Sequence, residues 1–235
     1  MEQTIQYHTM KDNQVAIMTT FYQVDQAYSL CNVVEDQLKM FTMHGYKIKL
    51  LVDKGLDEST LRGVWKHPNI TICKFRDVSR SNEGILPNDY MDQANSLYKE
   101  LKEILKDVKV VIAHDVILQP AHIIHNIACR GIAEERFDMR WLHWCHSSTA
   151  PQIRCSSEDA KKLINQKFPN SIACYPNDWD KKRVAQNYGY ELDEVKTVHH
   201  PSDFLELMFG KEIDFTEIPN LSEEAKTALD KKYNY

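Results

Sequence analysis

Glycine is scarce in this chain, with 7 in 235 residues, and none falls into a loop signature. No GxGxxG follows the first apolar run, and there is no GxxxxGK[ST] and no GxSxG. Backbone amides approach a phosphate closely only where glycines let them, and a strained elbow needs its flanking glycines. An ordinary dinucleotide site, a phosphate loop and a serine hydrolase are therefore disfavoured. No apolar run reaches the ~18 residues that span a bilayer, and the N-terminus lacks the basic-then-apolar order of a secretory signal. The expectation is a cytoplasmic protein, with peripheral membrane contact left open. There is no surplus of positive charge: 29 Lys and Arg against 34 Asp and Glu give a net charge of -5. The basic residues lie beside acids on several expected helices, which argues against a nucleic-acid partner. The six cysteines form no CxxC pair and sit in apolar stretches, as buried thiols of a reducing compartment do.

What is present is enough apolar material for a full core, 43% of residues against 27% charged. Five apolar runs end in polar or histidine-bearing tips: 15-VAIMTTFY, 47-KIKLLVDK, 108-VKVVIAHD, 139-MRWLHWCHSST and 170-NSIACYPND. The runs are continuous rather than alternating, as strands covered on both faces are. Between the first two, Tyr28, Cys31, Val34, Leu38 and Phe41 recur at helical spacing and predict a helix over 26–43, with Gly45 at its end. Further helices are expected over 57–66, 90–106, 120–131 (Pro120 in the first turn, Gly131 at the end), 157–167 and 178–189. Short strands are expected at 70–75 and 195–200. Residues 76–90 read as a surface loop. The order predicts an α/β fold: a Rossmann-like, mostly parallel sheet with helices on both faces. A polar lead-in at 1–14, one domain at 15–209 and an acidic linker or peripheral helix at 210–235 complete the division.

Open parallel sheets bind ligands at the carboxyl ends of their strands. That rule singles out Thr19, Thr20, Phe21 and Tyr22 after the first strand. It also selects His114 and Asp115, then His146 with Ser147, Ser148 and Thr149, and Asn177 with Asp178. His146 is the best single candidate, because an imidazole titrating near neutrality can exchange a proton with a substrate hydroxyl. Asp115 is placed to orient a base or bind a hydroxyl, or simply to cap a strand end. His143 is expected in the sheet packing. His122 and His125 share a helix face, but without an HExxH pattern no metal is expected there. Met139, Trp141, Trp144 and Trp179 read as core or domain-interface packing.

The series of runs and tips, from about 14 to 209, resembles the N-terminal, acceptor-side domain of a two-domain (GT-B) retaining glycosyltransferase, similar to glycosyltransferase family 4. The resemblance rests on 109-KVVIAHD, on 145-CHSST with the family's acceptor-side histidine falling on His146, on 176-PNDWDKKRVAQNYG, and on 200-HPSD. The first loop, 22-YQVDQAYS, departs from the family in lacking its paired glycines, and His200 stands where an asparagine is usual. The resemblance implies His146 as catalytic. It implies an acceptor site built from Thr20, Tyr22, His114, Asp115, Ser147, Ser148 and Thr149, and a donor-side or interdomain edge at Asn177, Asp178, Lys182 and His200. It implies a nucleotide-sugar donor as substrate, no tightly bound cofactor and no essential metal. A C-terminal donor-binding domain or a partner subunit would complete the enzyme, and this chain alone would be inactive. The competing expectation is a non-catalytic Rossmann-like binding or partner protein, favoured by the glycine-free first loop. The transferase reading predicts that residues 20–24, His114, Asp115 and His146 form one rim.

Overall fold

The computed structural model describes residues 14–25, 27–149, 154–199, 222–224 and 226–227. His200, the expected lead-in up to residue 13 and nearly all of the expected tail lie outside them.

Seven strands form one sheet, every pair parallel, in the order β3-β2-β1-β4-β5-β6-β7. They are β1 (Gln14–Met18), β2 (Lys47–Asp53), β3 (Ile70–Phe75), β4 (Val110–His114), β5 (Arg140–Trp144), β6 (Ser171–Tyr175) and β7 (Val195–Thr197). Among the described residues, α1 (Ser29–Met43), α2 (Tyr90–Ile104), α3 (Ile123–Glu135), α4 (Glu158–Asn165) and α5 (Lys181–Tyr188) accompany them. The fold is an α/β domain of the Rossmann-like, doubly wound kind. Strand order runs outward one way from β1 and the other way from β4, so the reversal falls between those two strands.

The alternation of side chains along β1 builds both cores. Ala16 and Met18 enter the cluster that α2 and α3 close with Leu97, Leu101, Ile124 and Ala128. Val15 and Ile17 enter the opposite cluster, closed by Val34 and Leu38 of α1 and by Trp65. α4 and α5 cover β6 and β7 through Ala160, Ile164, Val184 and Tyr188. The continuous apolar runs thus follow from burial on both faces.

Local chemistry sets several ends. The Ser157 hydroxyl accepts from the Ala160 N–H and caps α4, whose first turn also carries Glu158 and Asp159. Gly189 takes a left-handed conformation (φ 71°) that stops α5. Two expectations shift. Residues 57–66 form two 3-10 turns, Glu58–Thr60 and Gly63–Lys66, rather than an α-helix. α3 does not stop at Gly131 but runs to Glu135: an interior glycine weakens a helix by only about 1 kcal/mol and need not end it. Of the set expected in the core or at a domain interface, Trp141, Trp144 and Met139 are in the core, and Trp179, on the loop between β6 and α5, is 96% exposed. Among the described residues no helix is long and apolar enough to cross a membrane.

Candidate functional site

The carboxyl ends of β1 and β4 open into a cleft of about 490 Å³. Thr20, Tyr22 and Tyr28 line it from the β1 side and His114 and His122 from the β4 side, with Arg80 reaching in from the loop after β3.

The first loop carries no glycine and uses its backbone differently from a phosphate turn. Thr19 N–H and its hydroxyl both donate to Leu51 O, at 2.9 and 3.2 Å. Phe21 O accepts from Asp53 N–H, Tyr22 O from Asp57 N–H, and Val24 N–H donates to the Thr60 hydroxyl. The loop is therefore stitched to the β2 side, and Phe21 is buried while Tyr22 is 62% exposed over the cleft. These backbone groups are spent within the fold, leaving side chains to meet a ligand.

The other wall depends on register. Pairing of β4 with β5 sets His114 opposite Trp144, so the chain two residues on returns His146 to the side of His114. Nδ1 of His114 lies 3.1 Å from Nε2 of His146, and the rings are near-parallel with centroids 5.4 Å apart. Nε2 of His114 lies 2.8 Å from Oε1 of Gln37 on α1. His114 is buried and lines the cleft; His146, half-buried, stands behind it and is not itself among the lining residues. Asp115 has φ 54°, a left-handed conformation rare for a residue with a side chain. That bend turns its carboxylate back to accept from His146 N–H at 3.2 Å. Burial pushes the Asp115 carboxyl up to about 6, against the downward pull of hydrogen bonds from His146 N–H and the Gln119 side chain. Burial, and then the Asp115 carboxylate, raise the Tyr28 phenol. Burial likewise lowers His122 to about 4, with Arg80 adding to the effect.

The charge in the cleft is largely committed. The guanidinium of Arg80 pairs with the Asp53 carboxylate and, at 3.3 Å, with Asp77. Both carboxylates also border a shallower groove of about 580 Å³ that meets the cleft at Tyr22 and Arg80. Apart from the Asp25 carboxylate, which accepts from Ala27 N–H, the cleft thus offers imidazole, phenol, hydroxyl and amide groups rather than a cationic cradle. That chemistry suits a neutral, hydroxyl-rich ligand with an apolar face.

Thr20, Tyr22, His114, Asp115 and His146 thus gather on the carboxyl ends of three adjacent strands. The other sequence candidates lie elsewhere. The loop after His146 is pinned to α5: Asn187 donates to Ser148 O at 2.7 Å, Tyr188 OH to Ser147 O at 3.1 Å, and Arg183 to the Ser148 hydroxyl at 3.4 Å. The Ser147 hydroxyl accepts from Thr149 N–H, so these three residues shape their own loop and do not line the cleft. Asn177 accepts from Asp180 N–H, while Asp178 bonds the Thr197 hydroxyl and faces Lys181. With exposed Lys182 they form a separate patch beyond β6 and β7. His143 is buried in the sheet packing between Trp141 and Phe168, and burial lowers it to about 3. His122 and His125 pack edge to face at 5.1 Å, and no group of three or more metal-ligating side chains occurs among the described residues.

Gln37, Tyr28 and Arg80 escaped the sequence reading. Only Gln37 left a signal, as an amide on an otherwise apolar helical stripe beside Val34 and Leu38.

No protein-family model matches this chain, and no curated protein is similar to it. What is established is the class: a Rossmann-like α/β domain with a cleft at the reversal of its strand order.

Proposed function

We propose that this chain is the acceptor-side domain of a sugar transferase of the two-domain retaining kind. The observation that carries the reading is the cleft between β1 and β4, placed where open parallel sheets bind ligands and lined mostly by uncharged hydrogen-bonding and aromatic groups, with Asp25 its one carboxylate and its one cation, Arg80, already paired. An acceptor saccharide or other polyol fits such a surface: hydroxyls bond to Thr20, Tyr22 and His122, while Tyr22 and Tyr28 offer ring faces to its C–H groups. His146, anchored through its backbone to Asp115 and paired through its ring with His114, is the ring assigned to the reacting hydroxyl. The nucleotide-sugar donor, which needs phosphate contacts, would be held chiefly by a second domain or subunit facing the β6–β7 patch of Asn177, Asp178 and Lys182. The domain by itself would not turn over.

The test is saturation-transfer NMR with a panel of methyl glycosides, followed by the same panel on Tyr22→Ala and His114→Ala. At least one glycoside should bind wild type, with the signal lost in Tyr22→Ala, and free UDP or GDP should bind at least tenfold more weakly. Binding of nucleotides alone, with no glycoside response, refutes the assignment. A second reading, a binding domain without catalysis, is favoured by the first loop, whose backbone bonds go to the β2 side. Sugar transfer in the presence of a donor-binding partner separates the two.

A further inference from the structure

Gln37 has no packing reason to be where it is. It lies on the buried side of α1, 1% exposed, between Val34 and Leu38, and its amide nitrogen has no hydrogen-bond partner among the described residues. An unmatched buried amide group costs about 1–3 kcal/mol. Its one polar engagement is the 2.8 Å contact of Oε1 with Nε2 of His114.

We propose that Gln37 is a positioning residue that sets the tautomers of the His114–His146 pair. An amide oxygen only accepts, so the proton of His114 sits on Nε2, and the neutral ring then carries its lone pair on Nδ1. Nδ1 lies 3.1 Å from Nε2 of His146, so the contact is a hydrogen bond when His146 donates through Nε2. His146 in turn keeps its lone pair on Nδ1. The hydrogen bond made by one ring nitrogen decides which nitrogen of a histidine can accept a proton. Here the decision passes from α1 through His114 to His146. Asp115 fixes the backbone of His146 at the same time, so ring orientation and proton position have separate anchors. A carboxylate at position 37 would draw the proton of His114 toward itself, whereas the amide orients the pair without competing for it. The inference rests on the reading of His146 as the ring that meets the acceptor hydroxyl, and adds the residue that readies it.

The experiment is long-range ¹H–¹⁵N correlation NMR on the full chain with ¹⁵N-labelled histidine at pH 8, the two rings being identified from His114→Gln and His146→Gln spectra. Wild type should show both rings in the Nε2–H form. Gln37→Met, nearly the same length but with no acceptor, should lose the single-tautomer pattern of His114 and His146. Gln37→Glu, which only accepts when ionised, should restore Nε2–H on His114. A proton on Nδ1 of His114 in wild type overturns the proposal without any variant having to fold. So does a wild-type tautomer pattern in Gln37→Met. The tautomers are read without ligand, so the expected pattern in a protein that binds no glycoside sinks the functional reading and leaves this one standing.

Discussion

Replacing Asp115 by asparagine should stabilise the protein at pH 8 and do progressively less as the pH falls. The carboxyl stands at about 6 in the fold and at about 3.8 in the unfolded chain, because burial disfavours its charged form. A raised folded value means that the native state binds the proton more tightly than the unfolded state. The associated stability is therefore fully present below about pH 4, erodes between about pH 4 and 6, and is gone above. At 1.36 kcal/mol per unit, the ionised carboxylate destabilises the fold by up to ~3 kcal/mol at pH 8. Asp115 keeps some contact with solvent, which screens the charge, so about half of that is the realistic effect. Asparagine retains an oxygen to accept from His146 N–H and tolerates the left-handed backbone at this position. Urea unfolding followed by tryptophan fluorescence at pH 4.5, 6 and 8 measures the difference. Asp115→Asn should be more stable than wild type by ~1–3 kcal/mol at pH 8, with the gap narrowing to a few tenths near pH 4. A gap that stays constant with pH, or a variant less stable at pH 8 than at pH 4.5 relative to wild type, refutes the argument.

Gly189→Ala and Gly45→Ala form a matched pair, since both glycines have positive φ but only at 189 would a Cβ strike backbone, 2.0 Å from Asn165 O. Gly45→Ala should lose ~1 kcal/mol and Gly189→Ala at least ~3 kcal/mol, a fall in Tm of roughly 6–12 °C for the latter; equal losses would mean that the contact with the α4–β6 connection is not a constraint. Arg130→Met removes a buried guanidinium that donates to the carbonyls of Leu163, Gln166 and Lys167 at the end of α4. Stranding those acceptors should cost ~3–4 kcal/mol in urea unfolding, and a loss under ~1 kcal/mol would show that water replaces the guanidinium without penalty.

The strands were readable because burial on both faces leaves an unbroken apolar signature, as in 15-VAIM and 110-VVIA. Helix existence was readable from the 3.6-residue stripe, and Ser157 and Gly189 announced their caps. Gly131 misled because a glycine inside a helix lowers its stability without having to mark its end. The site was half legible. Strand-end position alone selected Thr20, Tyr22, His114, Asp115 and His146, but it also selected Ser147, Ser148 and Thr149, which α5 draws away. Arg80 and Gln37 depended on which loop and which helix face pack against the sheet, and those are long-range facts that no local pattern carries.

The join between β1 and β4 sets a timetable for the molecule. β1 ends at Met18 and β4 begins at Val110, and the cleft is the space between their ends. Closing so long a chain segment is slow and cannot be assembled piecemeal. A ribosome-bound fragment holding β1 to β3 has one wall of the cleft and nothing to face it, and the histidine pair waits further until β5 is laid beside β4. The cleft is therefore incomplete until β4 has paired with β1, and the histidine pair until β5 has joined them.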